Sequence, residues 1–357
     1  MKKTHMIGAM FALALLSGPS AWAGGVTVDD EARLTIGMKS FINVTNTEVT
    51  TNGVTTATDA GLAVDRFYLW MKYRIDDTWS AKITTDVNNE QGRTGSATTP
   101  GLKRNMNVFL KNAYVQGNFR PELNVLLGLA GTPWIPYEEG LWRHRYVTNV
   151  FVDGYGYDDS ADFGVALKGK FADGLFEYFV DVVNGGGYSN PNKTDAVDFG
   201  ARLTVHPFEG LDISGHFRDG KRGKKTLANP NADDHTLWQG LISYGIDNAR
   251  IGGGYIDNKV TTVAGSETHN TGFDIWAWYN FMPEFGAFGR YDYKKQTVTG
   301  NNVDEKLNRF IVGLEYIYSK VLRFSAVYDY AKADDSANIL GVVKKTTKYG
   351  LYSQFVF

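Results

Sequence analysis

The chain is made of short segments in which apolar and polar side chains alternate. In residues 66–75, Phe67 and Leu69 take one face, whereas Lys72 and Arg74 take the other. This period of two is that of a β-strand with one face in an apolar medium and the other in water. The alternation recurs to the end of the chain at Phe357. The sequence therefore predicts an all-β protein of about sixteen strands.

The first residues form a predicted secretory signal peptide. Lys2 and Lys3 precede an apolar stretch at 6–16, and Ala21-Trp22-Ala23 provides a cleavage site. The apolar stretch is too short for a membrane anchor. We expect a signal peptide at 1–23 and one mature domain at 24–357. Loss of the two lysines moves the net charge from −2 to −4.

Composition excludes several kinds of site. With 0 cysteines, disulfides, thiolate metal sites and covalent c-type haem are impossible, and the 6 histidines include no ligand pair at helical spacing. We therefore expect neither a metal nor another cofactor. No apolar run after the signal approaches the ~20 residues of a membrane helix. An exported chain of this kind is a soluble β protein or an outer-membrane barrel.

The connections between segments favour the barrel. Tight turns, such as 282–284, alternate with long polar connections, such as 46–60, 88–107, 219–234, 259–270, 296–305 and 332–345. Aromatic residues crowd the segment ends beside the tight turns, as in a membrane-interface girdle, and the chain ends on Phe357. We predict an antiparallel transmembrane β-barrel of about sixteen strands in the outer membrane of a Gram-negative bacterium, in contact with its lipid.

Residues 130–160 break the alternation. About thirty residues without a clear strand or helix pattern, inside a regular domain, are usually functional. We predict that this third loop folds into the barrel and narrows it. The candidate constriction residues are the charged residues of the segment, namely Glu138, Glu139, Arg143, His144 and Arg145.

Two roles are open for the arginines of this segment. In an extended segment Arg143 and Arg145 point the same way and His144 points the opposite way. The arginines then either face the channel and select anions, or pair with carboxylates of the wall. An accessible His144 gains a proton as pH falls toward about 5 and adds to an anion preference.

The inner face of the barrel is predicted to be basic. Roughly fifteen lysines and arginines face inward against about ten carboxylates, which gives the channel a positive potential. Cross-strand ion pairs are the alternative, and they would neutralise most of it. The predicted pore-lining cations are Arg66, Lys72, Arg74, Lys82, Lys168, Lys170, Arg202, Arg218, Arg250, Arg290, Arg309 and Arg323, with Lys39 and Lys348 beside them.

Enzyme motifs are scarce. Residues 220–226 resemble a phosphate-binding loop but lack its glycine spacing, and neither G-x-S-x-G nor H-E-x-x-H occurs. We predict that the chain is not an enzyme and has no nucleic-acid partner.

One junction resembles a known family. Residues 123–134, with Gly128-x-x-x-Thr132-Pro133-Trp134, are similar to the strand-to-loop junction of the phosphate-selective porin O and P family. The barrel pattern fits that family over nearly the whole mature length. The resemblance implies a sixteen-stranded, homotrimeric channel whose third loop folds inward.

These features predict a passive diffusion channel for small hydrophilic solutes with a modest anion preference. A sugar-preferring porin is the first alternative, because five aromatic residues could form a stacking slide, namely Tyr137, Trp142, Tyr155, Trp276 and Trp278. The second alternative is a barrel without a channel, serving as an adhesin, an enzyme or the scaffold of an electron conduit.

Overall fold

The computed structural model describes residues 26–27, 33–89, 106–190, 194–225, 232–299, 303–335 and 342–357. The predicted signal peptide lies outside the described residues. Within them, no helix combines the length and the apolar character needed to cross a membrane.

Long β-strands dominate the described chain. Their bounds are β1 Val26–Thr27, β2 Leu34–Thr51, β3 Val54–Arg74, β4 Trp79–Asn89, β5 Met106–Arg120, β6 Leu123–Gly131, β7 Ala161–Phe171, β8 Phe176–Val183, β9 Asp198–Val205, β10 Leu211–Gly220, β11 Asp234–Ile246, β12 Ala249–Thr261, β13 Glu267–Asn280, β14 Phe285–Val298, β15 Val303–Ile317, β16 Leu322–Asp335 and β17 Val342–Val356.

The strands close into a ring. In the described residues, each strand from β2 to β17 pairs antiparallel with the next, and β17 pairs with β2 from Val356↔Lys39 to Lys344↔Thr51. The two-residue β1 adds only a short pairing to β2. The result is a closed barrel of sixteen antiparallel strands, which confirms the predicted fold class.

The two faces of the wall differ as the alternation predicts. On β13, Ile275 and Tyr279 are 52% and 51% exposed, whereas Trp276 between them is 1% exposed. Exposed apolar side chains such as Ile242, Ile251, Val312 and Leu351 continue this outer face around the barrel. An apolar outer belt of this kind faces lipid rather than water.

Several predicted long connections are shorter than expected because the strands extend into them. Residues 46–60 form the paired ends of β2 and β3, joined by a turn at Asn52–Gly53. Both turn residues have positive φ, 51° and 83°, as tight primed hairpins require. The predicted connections at 259–270, 296–305 and 332–345 also contain strand ends. These strand ends are polar on both faces and are joined by backbone pairing and by polar side chains, such as Thr55 and Glu48 at 3.4 Å, so an alternation of apolar and polar residues does not reveal them.

The segment predicted at 130–160 also differs from expectation. Ala130 and Gly131 belong to β6, so the connection between β6 and β7 covers residues 132–160, here called the 132–160 segment. It contains two helices, α1 (Ile135–Trp142) and α2 (Phe151–Gly154). Pro136 is compatible with α1 because it lies in the first turn, where the missing N–H is not needed.

The largest apolar cluster joins this segment to the inner face of the wall. Trp134, Trp142 and Phe151 of the segment pack with Trp276 and Phe288 of the wall, and all five are nearly inaccessible. The Trp142 ring meets the Trp276 and Phe288 rings edge-on at 5.9 Å. Burial of this apolar face explains why a short segment with a weak sequence pattern adopts a defined structure.

Candidate functional site

Wall arginines hold the 132–160 segment by its carbonyl and hydroxyl oxygens. Arg202 on β9 donates to the Pro133 carbonyl oxygen at 2.8 Å, and Arg290 on β14 donates to the Asn149 carbonyl oxygen at 2.9 Å. Arg309 on β15 donates to the Thr148 hydroxyl at 3.2 Å. These arginines therefore satisfy acceptors that an irregular segment leaves without intrahelical partners.

A buried ion pair fixes the end of the segment. The Arg218 guanidinium lies 3.0 Å from an Asp158 oxygen and 3.1 Å from an Asp181 oxygen, and all three side chains are inaccessible. Burial alone would raise the pKa of Asp158, but the Arg218 charge reverses this and lowers it below its usual value. Asp158 is thus an anion that depends on Arg218.

Hydroxyl and indole groups complete the attachment. Tyr137 and Ser214 on β10 share a hydrogen bond of 2.7 Å, and the Trp278 indole on β13 donates to the Leu141 carbonyl oxygen at 3.0 Å. Tyr146 donates to Glu315 on β15 at 2.8 Å. Tyr146 also shares a 2.6 Å hydrogen bond with Ser325 on β16, so these contacts reach from β9 to β16 on the face opposite to the apolar belt.

Glu138 lies inside this attachment, not on an accessible surface. It is 3% exposed, and its carboxylate accepts a 2.7 Å hydrogen bond from the Trp134 indole. Burial, together with the charge of Asp274, raises the pKa of Glu138 well above its usual value, although Arg290 opposes the change. Glu138 is a buried acid that favours its neutral form.

His144 is also buried, at 1% exposure. Its Nδ1 lies 2.9 Å from the Trp142 carbonyl oxygen, and its Nε2 lies 3.5 Å from Glu315. Burial lowers the pKa of His144 although Glu315 opposes this. The His144 ring packs on the Phe288 ring, with 4.0 Å between the ring centres, and this contact removes it from solvent. The expectation of an accessible His144 that gains a proton as pH falls toward about 5 is therefore wrong.

The two arginines of the segment diverge. Arg145 pairs within the segment, at 2.6 Å from Glu139 and 3.6 Å from Asp153. Arg143 has φ of 64°, and its guanidinium carbon lies 4.2 Å from the centre of the Trp278 ring. The segment is not extended here, so the expectation that both arginines point the same way is not met.

Most of the predicted pore-lining cations are paired in the described structure. Besides the pairs of Arg218, the ion pairs are Arg66–Asp86, Lys170–Glu177, Arg202–Glu177, Arg250–Asp212, Arg290–Asp292, Arg309–Asp329 and Arg323–Glu315. Arg202, Arg218 and Arg290 are also buried, at 4% exposure or less. These arginines therefore anchor the segment and do not present free charge.

A second group of inward cations has no such partner. Within the described residues, none of these lysines lies within 4.0 Å of a carboxylate: Lys39, Lys72, Lys82, Lys111 and Lys168. Lys72 and Lys82 stand directly opposite each other on β3 and β4. Like charges in this position repel.

Sequence reasoning missed Lys111. A bulge between Thr84 and Thr85 shifts the pairing of β4 with β5. The Lys111 ammonium lies 5.5 Å from the centre of the Tyr68 ring and donates to Ser160 at 2.9 Å. Alternation alone gives no signal for such a bulge.

The junction residues that carry the family resemblance have structural contacts. Gly128 has φ of 121°, and a Cβ there would lie 2.4 Å from the Ala113 carbonyl oxygen, so only glycine fits. The Thr132 hydroxyl donates to the Asp159 carbonyl oxygen at 2.6 Å. These residues shape the start of the 132–160 segment.

The proposed aromatic slide is mostly covered. Trp142 and Trp276 are 0% and 1% exposed, and Arg202 lies 4.0 Å over the Tyr137 ring.

Among the described residues, no three histidine, aspartate or glutamate side chains are grouped as metal ligands.

A closed barrel of sixteen antiparallel strands, with an apolar belt outside and a polar face inside, has the fold of outer-membrane porins. Solved structures share this fold. The anion-selective porin from Comamonas acidovorans matches with a TM-score of 0.62 and 13% identity, over 91% of this chain and 100% of that one.

Two other structures match similarly. OmpT of Vibrio cholerae has a TM-score of 0.62 and 12% identity, over 93% of this chain and 99% of its own. The channel DcaP of Acinetobacter baumannii has a TM-score of 0.58 and 14% identity, and the match covers 94% of this chain and 100% of that one. No protein-family model matches the chain, and no curated protein sequence matches it.

Proposed function

We propose that this protein is a passive diffusion channel for small hydrophilic solutes, and not an enzyme, and that it prefers anions. The 132–160 segment is bonded to the inner faces of strands between β9 and β16. Contacts with both β9 and β16 from the face opposite to lipid support a position inside the barrel. We therefore propose that it narrows the lumen.

The unpaired lysines are the observation on which the anion preference rests. The wall from β9 to β16 pairs its arginines with carboxylates, whereas the wall from β2 to β7 has Lys72, Lys82 and Lys168 without one in the described residues. A solute that passes along β3, β4 and β7 meets these three lysines. Low-dielectric walls focus their field and raise the local concentration of anions.

Single-channel recording in planar bilayers tests this proposal. A KCl gradient should give a reversal potential of the sign expected for chloride preference. Lys82→Gln should reduce that potential more than Lys332→Gln, which removes the same charge near the end of β16, away from the group of unpaired lysines. Cation preference, or equal effects of both variants, would contradict the proposal, and absence of conductance would favour a barrel without a channel.

Phosphate is the finer assignment that the family resemblance suggests. We propose it only as one of the anions admitted, because the 132–160 segment contains no lysine. Addition of phosphate to chloride solutions should reduce the current at low concentration if phosphate is preferred. A current that changes only with ionic strength would show that phosphate is not preferred, and the protein would then be a general anion channel.

We also propose a homotrimer. One structure of OmpT from Vibrio cholerae is a trimer form. Light scattering in mild detergent should give a protein mass close to three times that of one barrel. The mass of one barrel would contradict this assembly.

A further inference from the structure

We propose that Arg143 and Trp278 form a site for planar carboxylates, and for aromatic carboxylates above all, inside the channel. This inference rests on the proposed channel function and names a class of solute for it. Its basis is a strained arginine whose donors have no partner within the described structure.

The backbone at Arg143 favours a different residue. Helix α1 ends at Trp142, and the Arg143 N–H donates to the Glu139 carbonyl oxygen at 3.0 Å in a left-handed conformation with φ of 64°. Glycine adopts this conformation at the end of a helix without strain, whereas a residue with a Cβ is disfavoured by roughly 1 kcal/mol. Arginine at this position calls for an explanation through its side chain.

The side chain is positioned on a fixed platform. The guanidinium carbon of Arg143 lies 4.2 Å from the centre of the Trp278 ring. The Trp278 indole is itself held by its 3.0 Å hydrogen bond to the Leu141 carbonyl oxygen, two residues before Arg143. The same short stretch of chain therefore fixes both partners of the stack.

The charge of Arg143 is not neutralised by a neighbour. Among the described residues, no carboxylate lies within 4.0 Å of it and no acceptor bonds its side chain. The nearby Glu315 is already engaged by Arg323 at 3.2 Å and by Tyr146 at 2.8 Å. Arg143 is half-buried and so remains accessible from one side.

This geometry selects a shape as well as a charge. One face of the guanidinium is covered by indole, which leaves the opposite face and the N–H groups for a solute. A carboxylate can accept two parallel hydrogen bonds from that edge. Alternatively, a flat aromatic anion can lie over the guanidinium face opposite to Trp278, whereas a puckered saturated ring of similar size covers that face less well.

The test compares benzoate with cyclohexanecarboxylate, which has the same charge and a similar size. In planar bilayers with KCl, benzoate should reduce the chloride current at a concentration about three- to tenfold lower than cyclohexanecarboxylate, as expected for a cation–π stack. Arg143→Lys keeps the charge and should abolish the difference. Lys332→Gln, far from the site, should preserve it.

A second measurement does not depend on conduction. In detergent, saturation-transfer NMR should show benzoate contact with the wild-type protein and a reduced signal with Arg143→Lys. Equal action of the two anions on the wild type, or a difference that survives in Arg143→Lys, would overturn the site. Loss of all conductance with intact benzoate binding would instead refute the channel and keep the site.

Discussion

At the scale of single residues, burial decides which charges act on a solute. Glu138 and Glu139 are neighbours, yet Glu138 is 3% exposed and bonded to Trp134, whereas Glu139 is partly accessible and bonded to Arg145. The first is part of the attachment of the 132–160 segment, and the second is available to the channel. Their substitutions should therefore affect different properties.

Glu138→Gln should flatten the dependence of stability on pH. The pKa of Glu138 is raised, first by burial and then by Asp274. As pH rises above the usual value for glutamate, the unfolded chain loses a proton that the folded chain retains, so stability falls until the raised pKa is passed.

Thermal unfolding followed by circular dichroism, from about pH 5 to about pH 9, measures this effect around the usual and raised values. The fall in unfolding temperature should be smaller in Glu138→Gln than in the wild type, and Glu139→Gln should keep the wild-type dependence. An unchanged slope in Glu138→Gln would show that Glu138 is ionised in the folded protein.

Glu139 and Arg145 should behave as a pair in selectivity. Glu139→Gln removes a negative charge and should increase anion preference, whereas Arg145→Gln should decrease it. The double variant should return close to the wild-type reversal potential in a KCl gradient, because the two groups are 2.6 Å apart and cancel at a distance. A double variant that follows either single variant would exclude this cancellation.

At the scale of elements, the 132–160 segment owes its position to the wall and not to its own helices. Helix α1 has only eight residues, which is too short for stability in isolation. Its attachment includes the buried Arg218 pairs, which join residues distant in sequence. Removal of one wall residue should therefore loosen the whole segment.

Arg218→Met should destabilise the protein by about 3–5 kcal/mol, because Asp158 and Asp181 would remain buried without their cation. Conductance should become noisier as the segment loosens. Arg120→Met is the matched control: its pair with Glu122 at 3.9 Å is exposed and lies outside the segment, so its loss should cost about 0–1 kcal/mol. Similar thermal stability of the two variants would argue against the Arg218 anchor.

At the scale of the whole molecule, the barrel has two unlike ends. Seven short turns, including 247–248 and 281–284, alternate in the described chain with connections that lie at the other end. In outer-membrane barrels, short turns face the periplasm and longer loops face outward. This asymmetry predicts the orientation of the chain.

Single cysteines can test the orientation, since the chain has 0 of its own. Lys224→Cys, in the connection between β10 and β11, should react with an impermeant thiol reagent on intact cells. Glu284→Cys, in the turn between β13 and β14, should react only after the outer membrane is permeabilised. The reverse order of labelling would invert the proposed topology.

The sequence by itself determined the wall. An alternation with a period of two identifies a strand and its two faces from local sequence, because each residue faces either lipid or water and its polarity shows which. Strands, outer belt and ring closure were therefore predictable. The polar strand ends and the bulge beside Thr85 were not, because neither leaves a pattern in side-chain polarity.

Only the tertiary structure decided which inward charges are free. Arg218 and Asp181 are 37 residues apart, and Tyr146 and Glu315 are 169 apart, so no local pattern reveals these partners. Arg218 and Lys72 look alike in sequence, as inward cations on alternating strands. One is buried against two carboxylates, and the other faces a second lysine across the sheet. That difference arises because ring closure and the 132–160 segment determine each side chain's neighbours.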